Sequence, residues 1–501
     1  MQRTGINKIS FKVVQQFLLA LTLLLGLGIR LYDLKDPPLD FHAVRQLRSA
    51  LIAREVYYQI SPGFTQEQKD KMASLAALEE YEPAILEQIV GFTDYLLGSE
   101  EFWVGRIYSS IFWVIGGIAL YWLARRLTSF YPALAGLAFY LFLPFSVIAG
   151  RSFQPEPWMV MWILFSACAF YRWSEKPNWK WAVISGIIGG IAVLVKAVAG
   201  FFVVGILVMI VIYNLGFRKI FRSPQTWVMG GLTVIPTLAF YLIFHAQRTG
   251  EYISFWTVSL SGLILTSNFY ADWLAMVQGL TGTTMLLLGL IGVVLAIRQF
   301  RWILVGLWIG YFLYGLVFPY QYITHEYYQL PLVPLVALSL CSLADIVFIS
   351  IKQQHRFWQA IAIGILLFAT VYSLWVSRSI LYANDYKNEP ESWRRVGEAI
   401  PDDKPFIALT SDYGMRLRYY GLKVPAIWPS IADLNLQSLR GNEPMDYKTY
   451  FVEVTSGKDY FLVTAFTELE NQPQLKDLLY SKYKINKEGN GFIVFDLTAL
   501  K

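Results

Sequence analysis

Residues 179–215 read WKWAVISGIIGGIAVLVKAVAGFFVVGILVMIVIYNL, a stretch that opens at Lys180 and from there is almost unbroken apolar, with one further charge, Lys196, in its middle. A hydrocarbon core of roughly 30 Å takes about 20 helical residues at 1.5 Å each, so the stretch holds enough for two helices. Read as two, 179–197 and 198–215, it fixes the sidedness of every loop that follows. Read as one, it inverts them all. Loop charges decide between the two. With Arg3, Lys8 and Lys12 on the inside, alternate loops carry Arg125-Arg126, then Arg172, Lys176 and Lys180, then Arg218, Lys219 and Arg222. The pattern continues with Arg298 and Arg301, and with Lys352 and Arg356. Basic residues collect on the cytoplasmic side of a membrane protein, and every inside loop obeys that rule only if the stretch is two helices.

The same organisation runs through the chain. Of 501 residues 55% are hydrophobic and 16% charged, against about 25% charged in a soluble domain. The mean hydropathy is +0.44, and 17 Trp, 31 Tyr and 34 Phe suit two membrane interfaces. Disorder and a small disulfide scaffold are excluded. The net charge of +6 is spread over inside loops and is no nucleic-acid footprint. Cys168 and Cys341 fall within apolar runs, which leaves no disulfide framework or cysteine metal site. An N-terminal run, 13–29, passes into Arg30-Leu31-Tyr32-Asp33 rather than a cleavage site, so it reads as a retained first helix. Further apolar runs at 103–124, 129–148, 155–172, 226–245, 282–298, 301–319, 328–350 and 356–376 bring the expected spans to eleven.

The opposite face holds a long first loop, 34–102, short turns at 150–156 and 320–327, the segment 246–281, and everything beyond 377. In the first loop Leu47, Leu51 and Val56, then Ile85, Leu86, Ile89 and Val90, recur at helical spacing. Two amphipathic surface helices joined near Pro62-Gly63 are expected there. From Arg378 the composition becomes that of a soluble domain. Helices at 392–400, 414–420 and 474–483 alternate with strands at 406–409, 424–428, 460–464 and 491–496, which is the pattern of a small α/β domain. The expected fold class is a mainly α polytopic helical bundle, 1–377, with an extracytoplasmic α/β domain, 378–501.

Chemistry-bearing residues gather on the outer side. Pro37-Pro38-Leu39-Asp40-Phe41-His42-Ala43-Val44-Arg45-Gln46 puts a carboxylate, an imidazole and a guanidinium just past the first helix. Asp40 can equally cap a helix beginning near Ala43. Arg151-Ser152-Phe153-Gln154-Pro155-Glu156-Pro157 holds an acid between two prolines, a setting that also favours a helix start. Lys196 either faces a cavity or snorkels to the interface. Glu82-Pro83 opens the second surface helix, and His325-Glu326 lies in a later outer turn. A carboxylate can deprotonate an acceptor hydroxyl while Arg and Lys stabilise a leaving phosphate.

With these residues in order, the chain over roughly 10–350 resembles the GT-C superfamily of membrane glycosyltransferases, near the protein O-mannosyltransferases and the lipid A aminoarabinose transferases. Asp40 matches the family's acid in the first outer loop, although Asp40-Phe41-His42 lacks the second acid of the Asp-Glu pair common there. Glu82-Pro83 resembles a His-Pro-Pro segment with Glu for His. Arg151 to Glu156 resembles an Arg-x-x-x-Pro-Asp turn, Gly190 to Lys196 a Gly-x-x-x-x-x-Lys element, and Tyr328 to Pro334 a Tyr-x-Leu-Pro-x-x-Pro element. The resemblance implies a polyprenyl-phosphate-linked sugar as donor, inversion at the anomeric carbon, and a lipid, glycan or protein acceptor. It implies Asp40 as base and Glu156 as a second acid that orients the acceptor. Arg45, Lys196 and His325 would hold the donor phosphate, with His42, Glu82 and Arg151 about the substrate. Any divalent cation would fall to Asp40 and Glu156. Membrane lipids are partners and nucleic acid is not.

A transporter or flippase of lipid-linked sugars is the alternative, yet neither internal repeats nor broken midplane helices stand out in the sequence. The topology is testable directly. Single cysteines at positions 223 and 440 should differ in labelling by an impermeant thiol reagent, with only the second reached from outside. Equal labelling of both from outside overturns the orientation.

Overall fold

The computed structural model describes residues 3–78 and 82–501. The chain forms two compact units. One comprises Met1–Leu34, Tyr81–Ile85 and Arg106–Asn384, and the other Lys35–Glu80, Leu86–Gly105 and Asp385–Lys501. Most of the first long loop therefore folds with the C-terminal region, whereas the sequence reading grouped it with the helical bundle.

The first unit is helical, and its length and composition make the chain an integral membrane protein. Among the described residues six helices are long and apolar enough to cross a membrane: Lys12–Arg30, Trp103–Arg125, Pro224–Ile243, Gln299–Val317, Glu326–Lys352 and Arg356–Ala383. Two bent pairs, Phe130–Phe142 with Pro144–Arg151 and Ser267–Leu280 with Thr283–Leu295, raise the number to eight if each is one span. The expected eleven is not reached by this measure. Trp179–Val195 and Ala199–Leu215 are separate helices, as the loop charges required, but each has only 17 residues. Proline breaks the expected 129–148 run, and the 282–298 run yields the 13-residue helix Thr283–Leu295.

The 60° bend at Pro144 shows how the bundle handles a break. Pro144 has no N–H, so the Tyr140 carbonyl loses its helical donor. Ser146 Oγ donates to it at 2.8 Å and Trp113 Nε1 at 3.3 Å. The Leu141 carbonyl accepts from Arg30 Nη1 at 2.9 Å, and the Ser146 carbonyl from Arg30 Nη2 at 2.9 Å. Arg30 closes the first helix and is fully buried. In lipid an unsatisfied backbone group costs several kcal/mol, so a broken helix is kept where side chains supply the missing partners.

In the second unit a five-stranded sheet has the order β2-β1-β3-β5-β4, from β1 Phe406–Leu409, β2 Ala426–Ile427, β3 Tyr460–Val463, β4 Tyr483–Gly489 and β5 Phe492–Leu500. β1 is parallel to β2 and β3, and β5 is antiparallel to β3 and β4. Side chains alternate across a strand. Ile407, Leu409, Phe461 and Val463 accordingly enter one core around Trp428, while Phe406, Ala408 and Leu462 enter another around Trp393. The strand expected at 424–428 shrinks to two residues. β4 and the helices Ile431–Leu439 and Tyr447–Thr455 were not expected. The first loop contributes three helices rather than two, Ala43–Ile60, Gln66–Ala76 and Ile85–Leu97. The extra one starts at a capping box, Thr65 with Gln68. Asp412 and Tyr413, just before the expected helix 414–420, take left-handed backbone angles, with φ of 54° and 50°.

Close helix packing in the first unit rests on glycine. A Cβ at Gly306 would lie 2.5 Å from the Gly205 carbonyl oxygen, and one at Gly310 2.5 Å from that of Phe201. Small residues of this kind let helix backbones approach, here Ala199–Leu215 and Arg298–Val317. Gly306→Leu should force the pair apart and destabilise the protein by about 1–3 kcal/mol or more. Gly364, with open space about it, provides the control. Thermal unfolding in detergent should show a clear loss for Gly306→Leu and none for Gly364→Leu. Equal stability of the two variants contradicts the packing account.

Candidate functional site

Lys196 caps the C-terminal end of Trp179–Val195 in an extended conformation, where the chain breaks before Ala199–Leu215. Its side chain does not snorkel. Lys196 is 6% exposed, and its ammonium contacts Glu156 Oε1 directly and lies 3.4 Å from Glu82 Oε1. Glu156 stands in the first turn of Pro155–Glu175 and is 1% exposed. A cation at a helix C-terminus and an anion at a helix N-terminus are each favoured by the local dipole, so both helix ends reinforce the pair. The ammonium is also 5.3 Å from the ring centroid of Tyr327 and 5.5 Å from that of Tyr328. These tyrosines sit in the 3-10 turn Glu326–Gln329, and Tyr328 Oη lies 3.4 Å from Tyr252 Oη. Buried cations on aromatic faces gain from the ring quadrupole.

The structure thus brings together Glu82, Glu156 and Lys196. His325 stands beside Tyr327 and Tyr328, the rings that face Lys196. Its Nδ1 lies 2.8 Å from Thr324 Oγ1, and its ring is edge-on to Tyr327 at 5.6 Å. Arg151, 1% exposed, donates from Nη1 to the Tyr32 carbonyl at 2.6 Å and from Nη2 to the Asp33 carbonyl at 3.3 Å. These bonds tie the end of the first helix to the turn before Pro155.

Asp40, His42 and Arg45 belong to the second unit. The N-cap position of the helix Ala43–Ile60 does not fall on Asp40. His42 holds the N-cap position with φ of 45°, and its own side chain makes no cap bond. The Asp40 carboxylate instead accepts a bond from Gln46 Nε2 at 3.2 Å, and the same amide donates to the Phe41 carbonyl at 2.8 Å. Gln46 thereby holds the turn that presents Asp40. A left-handed non-glycine residue costs of order 1–3 kcal/mol and such strain collects at functional sites. Arg45 is half-buried in the first turn of the helix.

Sequence reasoning gave no site role to Tyr327 or Gln46, and it named Tyr328 only as the start of a motif. The two tyrosines had a signal, paired aromatics beside His325-Glu326 in a short turn between apolar runs. Gln46 had none. For a divalent cation the residues fit poorly. Lys196 already brings positive charge to Glu82 and Glu156, and among the described residues no group of three His, Cys, Asp or Glu side chains is arranged to hold a metal.

A family model described as dolichyl-phosphate-mannose-protein mannosyltransferase matches residues 82–244, a segment that contains Glu82, Arg151, Glu156 and Lys196. The crystal structure of ArnT from Cupriavidus metallidurans bound to undecaprenyl phosphate superposes with a TM-score of 0.55 at 14% identity, covering 97% of this chain and 98% of that one. The chain has the GT-C fold. Apo ArnT from the same organism gives a TM-score of 0.53 at 13% identity over 98% of both chains. The Archaeoglobus fulgidus oligosaccharyltransferase in complex with Zn and sulfate gives 0.55 at 14% identity, over 96% of this chain and 73% of that one. No curated protein sequence matches significantly.

Removing one partner of a buried ion pair leaves an uncompensated charge and typically costs about 3–5 kcal/mol. Lys196→Met should therefore lower the unfolding temperature of the protein in detergent markedly. Adding Glu156→Gln to Lys196→Met should restore part of the loss, because one of the two carboxylates that Lys196 offsets is then neutral. If the double variant is as unstable as the sum of the two single variants, the pair is not the coupled unit described.

Proposed function

We propose that the protein is a membrane glycosyltransferase that moves a sugar from a polyprenyl-phosphate donor to a lipid, glycan or protein acceptor on the extracytoplasmic face. The observation that carries this reading is the buried Lys196, held between Glu156 and Glu82 against two tyrosine rings. The mannosyltransferase family model over 82–244 and the likeness in fold to an ArnT structure holding undecaprenyl phosphate support it.

In the transfer, the bond from the anomeric carbon to the phosphate oxygen breaks and its electron pair leaves with the polyprenyl phosphate. The acceptor oxygen forms the new bond from the opposite face, with inversion, and its proton passes to a carboxylate. Asp40 is that base, oriented by Gln46. Lys196 opposes the negative charge that grows on the departing phosphate, an interaction strengthened where water is excluded. Arg45 and His325 add donors to the phosphate. Glu156 holds Lys196 in place and orients the acceptor.

Incubating the purified protein with radiolabelled polyprenyl-phosphate monosaccharides and following release of polyprenyl phosphate tests the reading. Asp40→Asn keeps the hydrogen bond to Gln46 possible but removes the base, and should lower turnover by about 100-fold or more. Donor binding should persist in that variant. Arg45→Lys should raise the donor concentration required, since an ammonium loses the bidentate contact of a guanidinium. Turnover within a few-fold of the parent for Asp40→Asn places the base elsewhere. Movement of the label across a vesicle membrane without release of polyprenyl phosphate refutes the transferase reading in favour of transport.

A further inference from the structure

Three basic segments of the helical unit are tied to one another by side-chain hydrogen bonds. Trp173 Nε1 donates to Gln225 Oε1 at 2.8 Å, which joins the end of Pro155–Glu175 to the start of Pro224–Ala239. Asn214 Nδ2 donates to the Ser174 carbonyl at 3.2 Å, and Gln299 Nε2 to the Tyr171 carbonyl at 3.3 Å. Residues 171–180, 214–227 and 296–301 are thereby joined into one platform where apolar helices end. Trp179–Val195 is 17 residues long, about 25 Å at 1.5 Å per residue. The platform at its start therefore lies well away from Lys196 at its end.

Gly216, with φ of 75°, ends Ala199–Leu215, and Phe217–Arg222 follows as a 3-10 helix with no buried residue. Phe217 is 71% exposed and Phe221 69%. Trp227, 62% exposed, fixes the turn by donating from Nε1 to the Phe221 carbonyl at 3.0 Å. A 3-10 helix repeats every three residues, so Lys219 and Arg222 stand one above the other. Cations in other basic loops are already engaged. Arg125 Nη1 donates to the Thr128 carbonyl at 2.6 Å, Arg126 lies 4.9 Å from the Trp122 ring centroid, and Arg172 pairs with Glu175 at 3.1 Å. By contrast, the side chains of Arg218, Lys219 and Arg222 are exposed and make no hydrogen bond, ion pair or ring contact among the described residues. Lys176 and Lys180, in the joined segment, are likewise exposed and unpaired among those residues. Glu175, the sole acid in the sequence of the three segments, is the partner of Arg172.

Uncompensated positive charge calls for an anion, and exposed aromatic rings call for an apolar neighbour. A soluble anion would meet the first demand and leave the rings in water. A lipid with a net negative headgroup meets both, because aromatic rings settle at the membrane interface and Lys and Arg beside it attract anionic lipids. We infer that this platform binds anionic phospholipid of the surrounding membrane. Lys219 and Arg222 clasp one headgroup phosphate, and Phe217 and Phe221 enter the top of the acyl region. The assignment goes beyond the glycosyltransferase reading and does not depend on it.

Native mass spectrometry of the full-length protein in detergent, titrated with phosphatidylglycerol or phosphatidylcholine, tests the platform. Phosphatidylglycerol should bind at least about ten-fold more tightly than phosphatidylcholine. Lys219→Gln with Arg222→Gln should weaken phosphatidylglycerol binding about ten-fold or more, with the unfolding temperature unchanged because both residues are exposed. Arg125→Gln with Arg126→Gln removes the same charge from a loop whose cations are engaged, and should alter the binding less than about two-fold. Phe217→Ser with Phe221→Ser should weaken it as well. Equal binding of the two lipids overturns the assignment. Equal losses in the two charge variants also overturn it, since the effect is then one of net charge. Soluble poly-glutamate that binds as tightly as phosphatidylglycerol, and still does so in the phenylalanine variant, would assign the platform to an acidic protein instead.

Discussion

A charge taken into an apolar bundle must bring its partners with it, and this constraint organises the helical unit. Arg30, Arg151 and Lys196 are each at least nine-tenths buried, and each sits at a place where a helix ends or breaks. Arg30 serves the carbonyls about the Pro144 bend, and Arg151 those at the end of the first helix. Lys196 stands in the gap between two 17-residue helices and takes its partners from acids on other segments. Broken helices and buried cations are thus one phenomenon, since the breaks free polar groups and the cations find them there.

The outline of this arrangement was legible in the sequence because lipid leaves a strong imprint on composition. The break at Lys196 followed from loop charges alone, and the strand 406–409 from its hydrophobicity. What escaped had weaker marks. β4, Tyr483–Gly489, reads YKINKEG, and its residues are almost all exposed at the edge of the sheet. Lysines there hinder pairing with another chain, but they also erase the alternation by which strands are recognised. Gln66–Ala76 has no sustained apolar face, and only its capping box announces it. The span count proved sensitive to helix ends, which prolines and glycines set and hydropathy averages blur.

The candidate site was legible in part for a related reason. Acids and bases stand out against an apolar background, so Glu82, Glu156 and Lys196 could be named, yet which of them meet is decided by tertiary packing. Tyr328 was visible as the start of a motif, but nothing in the sequence placed it or Tyr327 against Lys196. Asp40 illustrates the opposite error of excess blandness. Its spacing before a helix suggested a cap, but His42 takes that position and Gln46 holds the carboxylate instead. A cap is a matter of one residue in register, and sequence fixes helix starts only to within a few residues.

The separation of Glu156 and Lys196 by 40 residues has a consequence for biosynthesis. Both acids precede the lysine, so a ribosome makes Glu82 and Glu156 before Lys196 and the tyrosines well after it. A lone lysine costs about 2.5–3.5 kcal/mol at the centre of an inserting helix by translocon scales, and less toward a helix end such as that of Lys196. Here the hairpin formed by Pro155–Glu175 and Trp179–Val195 can leave the translocon already neutralised, before the aromatic half of the pocket exists. Were the order reversed, every nascent chain would wait with an unpaired cation facing lipid. The linear order of charges therefore protects an insertion intermediate, a role for the pair that ends before the protein first meets a substrate.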